Sequence, residues 1–179
     1  MGIEINIDGS LFTFPDGWDI EKLDEWSEQK RLTRPPFQSK GCDFVALKEG
    51  EIWLVEVKDY SFPGATVPSD LAEIVGLKVF HSLAILHAVA HWGTGKHQRF
   101  SRKALNATSA TVCLAIELPD KGRKQIALAT PITYLKEELR KVARLMGANR
   151  PVVSNSYVNV TVPWDIRRDP KTRRSHADR

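Results

Sequence analysis

Hydrophobic and polar positions alternate twice in the first third of the chain, each time with a turn signal between two runs. Ile3, Ile5 and Ile7 precede Asp8-Gly9, and Phe12 and Phe14 follow it. A two-residue Asp-Gly turn matches the twist of paired strands, so the pattern predicts a hairpin with Ile7 facing Ser10, Ile5 facing Phe12 and Ile3 facing Phe14. Its one apolar face must pack on something. The second pair of runs is Asp43-Phe44-Val45-Ala46-Leu47 and Ile52-Trp53-Leu54-Val55-Glu56-Val57-Lys58, joined through Glu49-Gly50. A turn there sets Leu47 against Ile52, Val45 against Leu54, Asp43 against Glu56 and Gly41 against Lys58.

Helical spacing takes over between and after these strands. A helix capped by Asp16 is predicted to run to about Lys30 with Trp18, Leu23 and Trp26 toward the core. Arg31 to Lys40 contains Pro35-Pro36 and reads as a loop, as does Ser61 to Pro68. Ser69 then serves as N-cap for a helix from Asp70 to about Trp92, apolar over most of its circumference and therefore buried. As a crossover to a strand over Thr111 to Leu118, that helix would set the two strands it joins parallel. A strand over Gln125 to Ala129, a helix from Pro131 to Met146 ended by Gly147, and a strand over Tyr157 to Val162 complete an α/β reading.

The hairpin register carries the chemistry. Side chains alternate faces along a strand, so Asp43, Glu56 and Lys58 share one face with the two carboxylates opposed. At about 5 Å and an effective dielectric near 20, two such charges repel by about 3 kcal/mol at most. Protonation of one carboxylate relieves this, and so does a divalent cation between them. A carboxylate pair with an ammonium beside it is what metal-assisted phosphodiester hydrolysis needs: the cation polarises the phosphate, and the lysine orients water or stabilises developing charge. The plain alternative is that polar residues mark where burial stops at two strand ends.

The segment Gly41-Cys42-Asp43-Phe44-Val45-Ala46-Leu47, followed by Glu56-Val57-Lys58, resembles the PD-(D/E)xK nucleases, the restriction-endonuclease-like and Holliday-junction-resolvase-like group. The resemblance covers roughly residues 17–118, with Cys42 where the family's proline often stands. It implies a restriction-endonuclease-like core, a mixed central sheet flanked by helices, here with an added N-terminal β-hairpin. It further implies a nuclease acting on DNA with Mg2+, or Mn2+ in its place. Asp43 and Glu56 would be the metal ligands, helped by the Val57 carbonyl, and Lys58 the catalytic cation. In that family a carboxylate from the first helix often joins the metal site, which makes Glu21 and Glu25 candidates and Glu25 the preferred one. The family usually has a strand between that helix and the aspartate strand. The rival reading is an inactive module of the same fold that binds nucleic acid or a protein.

Composition bounds the rest. At 179 residues, 42% of them hydrophobic, the chain fits one domain over 1–166 with a sizeable core. Cys42 and Cys113 cannot build a disulfide framework and read as reduced core residues. The start of the chain lacks a signal-peptide layout, and His81, Ser82, His87 and His91 interrupt the longest apolar region, so a cytoplasmic protein without a membrane span is expected, with homodimerisation left open. Six basic residues against two acids in 167–179 account for the whole formal charge of +4, which makes that segment a solvated, disordered tail or a non-specific phosphate-binding arm. Within the body, Lys96, Arg99, Arg102 and Lys103 occur over 92–103 without an acid, a loop fit for nucleic acid or simply solvated. His87 and His91 share a helical face yet lack the glutamate of a zinc protease and read as packing residues. Gly93-Thr94-Gly95-Lys96 has neither the spacing nor the following hydroxyl of a phosphate loop.

Overall fold

The computed structural model describes residues 2–118, 125–148, 151–156 and 162–169, with backbone alone for 125–130. Strands β1 (Ile3–Ile7) and β2 (Ser10–Phe14) form the first hairpin in the expected register, Ile3 with Phe14 and Ile7 with Ser10. Both turn positions have positive φ, 47° at Asp8 and 77° at Gly9, the geometry that lets a two-residue turn follow strand twist.

The stretch after this hairpin is not one helix. It divides into strand β3 (Asp19–Glu21), a single 3-10 turn (Leu23–Glu25) and the short helix α1 (Ser27–Leu32). The reason lies in where its aromatic residues go. Trp18 belongs to one hydrophobic core, with Phe12 and Phe14, whereas Leu23 and Trp26 belong to another. The chain passes from one face of the central sheet to the other at this edge. A single helix would hold all three on one side.

Strands β4 (Phe44–Lys48) and β5 (Glu51–Asp59) form the second hairpin, with Val45 opposite Leu54 and Leu47 opposite Ile52. Glu49 and Gly50 turn it with φ of 50° and 83°. Helix α2 (Leu71–Trp92) starts with Asp70 rather than Ser69 at its N-cap, and α3 (Gly95–Leu105) occupies the stretch expected to be a loop. Strand β6 (Ser109–Glu117) returns parallel to β5, as a crossover through α2 requires. Helix α4 (Gln125–Leu145) absorbs the strand expected at 125–129 and continues through Pro131, where the sequence reading had placed a start. Strand β7 (Val152–Ser154) joins β6 in parallel, and β8 (Asp165–Arg168) pairs antiparallel with β2. The strand expected over 157–162 lies outside the described residues but for Val162. Arg167 and Arg168, expected in the tail, sit within β8, and 170–179 lie outside the described residues.

Three layers result. A mixed sheet ordered β3-β4-β5-β6-β7 lies in the middle, and the sheet β1-β2-β8 covers one of its faces. Phe12, Phe14, Phe44, Trp53 and Trp164 fill the space between the sheets, with Trp53 and Trp164 centroids 5.0 Å apart. Helices α2, α3 and α4 cover the other face through Val75, Val79, Leu86, Phe100 and Leu139 against Val45, Leu54, Leu114 and Ile116. The β1–β2 hairpin thus finds the partner its apolar face needs. Helix α2 is by length and composition apolar enough to cross a membrane, contrary to the sequence expectation; its inner face builds this core.

Candidate functional site

Asp43 stands just ahead of β4 and Glu56 near the end of β5. The ladder pairs Phe44 with Val55, so the next step opposes Asp43 to Glu56. The Val57 N–H donates to Asp43 Oδ2 at 2.7 Å, fixing that carboxylate against β5. Val45, Leu47, Ile52 and Leu54 all point into the helix-side core, and alternation carries Asp43, Glu56 and Lys58 to that face. The register argument from the sequence therefore holds.

A third layer reaches the same point. Lys78, in the second turn of α2, lies 2.5 Å from Glu56 Oε1, and Lys58 lies 2.5 Å from the same oxygen. Glu56 itself is fully buried, and its other oxygen, Oε2, is buried without a hydrogen-bond partner. Opposed carboxylates are thus relieved by two ammonium ions, where the sequence reading expects a proton or a divalent cation. Burial, then the charge of Glu56, pushes the Asp43 carboxyl up to about 6, against the pull of the Val57 N–H and both lysines. For Lys58, burial works downward, but the hydrogen bond and charge of Glu56, with Asp43 and Asp8 adding, hold the ammonium above its ordinary value. Asp8, at the tip of the first hairpin, therefore belongs to the electrostatic surroundings of the site. Burial also pushes the Cys42 thiol up, helped by Glu56. Cys42 stays protonated and is not a nucleophile.

Among the described residues no cluster of three or more His, Cys, Asp or Glu side chains forms a metal cage. Asp43 and Glu56 provide two carboxylates. That number suits magnesium, which commonly takes one or two carboxylates and completes its shell with water and substrate phosphate. The partnerless, buried Oε2 of Glu56 fits such an ion, because a carboxylate oxygen in that setting is costly unless something pairs with it.

The other candidates fall elsewhere. Glu25 is exposed and pairs with Lys22 at 3.5 Å, and Glu21 accepts from Trp26 Nε1 at 3.0 Å and pairs with Lys96. Gln29 is the buried polar residue of α1, and a side chain at Gly41 would meet its Oε1 at 3.2 Å. The four basic residues lie on α3, over β3. Lys96 and Lys103 already pair with Glu21 and Asp19 at 3.1 Å each, and Arg102 Nε donates to the Ala90 carbonyl at the end of α2. With β3 two strands from β5, the patch stands about 10 Å across the sheet from Glu56. His87 and His91 lie exposed on α2 with ring centroids 4.6 Å apart.

Lys78 is the residue the sequence reading missed, and a signal for it existed. It is the only lysine or arginine in the 22 residues of α2. A lone cation in an apolar, buried helix needs a buried acid, and Glu56 is that acid.

No family model and no solved structure matches the chain. It is similar to part of a cysteine–tRNA ligase of Neisseria meningitidis serogroup A, 25% identical over 197 aligned positions that cover 87% of this chain and 28% of the ligase. The chain spans less than a third of that relative's length.

Proposed function

We propose that this chain is a metal-dependent nuclease that hydrolyses DNA phosphodiester bonds on a restriction-endonuclease-like core. The observation that carries the proposal is the pairing of Asp43 with Glu56 beside Lys58, with one Glu56 oxygen buried and unpartnered. The fold is compatible with it: β3, β4 and β5 run antiparallel, and α2 leads to a parallel β6. Strand β3 fills the place beside the aspartate strand, though it precedes α1 in sequence where the resembled family puts the strand after its first helix.

In this reading Asp43, Glu56 and the Val57 carbonyl hold Mg2+ or Mn2+, which would draw charge from a phosphoryl oxygen and make an attacking water more acidic. Lys58 orients that water or stabilises the charge that develops on the phosphate. Glu56 keeps Lys58 protonated and aimed. Burial of the site strengthens each of these interactions.

A second reading, a module of the same fold without catalysis, is favoured by the two lysines that already neutralise Glu56. The likeness to a tRNA ligase adds tRNA to the substrates that matter. The deciding experiment is cleavage of labelled duplex, single-stranded and branched DNA and of tRNA with magnesium, manganese or chelator. Metal-dependent cleavage of any of them supports the nuclease; binding without cleavage in every metal supports the module.

A further inference from the structure

The side chains gathered at the end of β5 are electrically complete before any metal enters. Asp43 and Glu56 supply two negative charges, and Lys58 and Lys78 supply two positive ones within reach of them. A divalent cation added between the carboxylates, with nothing else changed, would leave this largely buried cluster with two excess positive charges. Such an excess is costly at low dielectric. One ammonium must leave, or an anion must arrive, or both.

The two lysines are not equally free to respond. Lys58 shares a strand with Glu56, two residues away, and Asp8 adds its charge around it, while Asp43 acts on both lysines. Lys78 reaches in from a separate layer on a flexible four-carbon stem; its side chain is 20% exposed and that of Lys58 26%, so both have a path toward solvent and the difference between them is the layer each comes from. Both ammonium ions sit on Oε1, leaving Oε2 of the same carboxylate partnerless.

We propose that Lys78 is a placeholder cation: its ammonium neutralises the opposed carboxylates until a divalent metal binds, then moves from Glu56 onto a phosphate oxygen of the incoming nucleic acid. Metal and phosphate would then bind cooperatively, each weakly without the other. This rests on the nuclease reading. Lys78 is a positioning residue in it, acting through Glu56.

The test measures Mn2+ binding to the full chain by electron paramagnetic resonance of the free ion, with no turnover required. Wild type is compared with Lys78→Met, Lys78→Gln and Lys78→Arg, with and without a short oligonucleotide of phosphorothioate linkages. Neutral side chains at position 78 should tighten Mn2+ binding by about tenfold or more, since a like charge a few ångströms away is removed. Arginine should restore the wild-type value. In wild type the oligonucleotide should tighten Mn2+ binding severalfold, and in Lys78→Met it should do so less. Equal Mn2+ affinity in wild type and in both neutral variants would overturn the placeholder while leaving a metal nuclease intact. An oligonucleotide without effect on wild-type affinity would overturn it too, whether or not the variants fold. Absence of Mn2+ binding in every form, with or without oligonucleotide, would overturn the nuclease reading and this inference together.

Discussion

Lys78 and Glu56, 22 residues apart in sequence, meet at 2.5 Å where α2 crosses the end of β5. This contact ties the first half of the crossover helix to the strand that carries the candidate chemistry. It also explains how a fully buried glutamate can lie opposite an aspartate. Two cations hold what one strand pair alone would push apart. The arrangement costs stability that an apolar pair would not, which is typical of groups kept for a role other than folding.

If Lys58 supplies charge stabilisation during hydrolysis, Lys58→Ala should lower kcat at least about a hundredfold while Mn2+ affinity does not fall, since a like charge beside the ion is removed. Gel-based cleavage and metal titration on the same preparation check this. Cleavage within threefold of wild type would remove Lys58 from the mechanism.

Asp43→Asn should raise stability in chelator, with a definite pH dependence. The folded Asp43 carboxyl sits at about 6 against an ordinary value of 3.8, so between these the folded state holds more protons than the unfolded one. Stability contributed by this group is therefore full below pH 4, falls as pH rises, and is lost above pH 6. Asparagine cannot ionise and can still accept from the Val57 N–H. The variant should gain up to about 3 kcal/mol over wild type at pH 7.5 and nothing at pH 4. Urea unfolding at the two pH values measures the difference. Excess magnesium should shrink it at pH 7.5 by stabilising wild type alone.

How much of this could be read along the chain depends on the range of the interactions involved. Asp8-Gly9 dictates its hairpin locally, because both residues accept positive φ, while at Glu49-Gly50 the glycine alone does and the flanking strands hold Glu49 at φ 50°; the opposition of Asp43 and Glu56 follows by counting from that second turn. The pairing of Lys78 with Glu56 depends on how α2 tilts over the sheet, a tertiary property that no local period encodes. Trp18, Leu23 and Trp26 misled for a related reason. Their spacing suits a helix, but they serve two cores on opposite faces of the sheet. Gly93 and Gly95 suggested a loop, whereas Gly95, at φ 64°, opens α3, whose Phe100 and Ala104 pack into the core. The strand expected at 125–129 is instead the first part of α4, which runs on through Pro131.

On the sheet's other face Arg168 acts as a clasp, and its loss should be costly. It donates from Nη2 to Ser61 Oγ at 2.7 Å and pairs with Asp59 at 3.0 Å. Asp59 lies beside Glu117 in the parallel ladder, and Glu117 is held otherwise by the Ser156 N–H and hydroxyl. Despite its burial, Asp59 is held below the usual carboxylate range by Arg168 and Ser61. Arg168→Met should leave two neighbouring carboxylates without a cation and lower stability by about 2–4 kcal/mol at pH 7. Because the Asp59 value is depressed, the deficit should shrink as pH falls through 4. A change under 0.5 kcal/mol by urea unfolding would mean the clasp carries no stability.

Substrate holding separates two basic segments, of which the sequence reading favours the one at 92–103 over the tail. On α3, Lys96 and Lys103 must give up Glu21 and Asp19 before they can meet phosphate, so their net contribution is small; Arg99 and Arg102 are exposed and, among the described residues, face no such exchange with an acid. A helix packed on α2 and ion-paired to β3 would hold phosphate at a fixed distance from Asp43 and Glu56, as in-line attack demands, whereas a terminal arm would only raise local concentration. Arg99→Ala with Arg102→Ala should therefore lower the slope of log affinity against log salt by about two, and the lysine pair by less than one. Deleting residues 170–179 should weaken binding to every sequence alike and leave cleavage at saturating DNA unchanged. Fluorescence anisotropy over a salt series measures both. If the deletion removes most of the slope while the arginine variants keep it, the arm is the holding site and α3 is simply a solvated face.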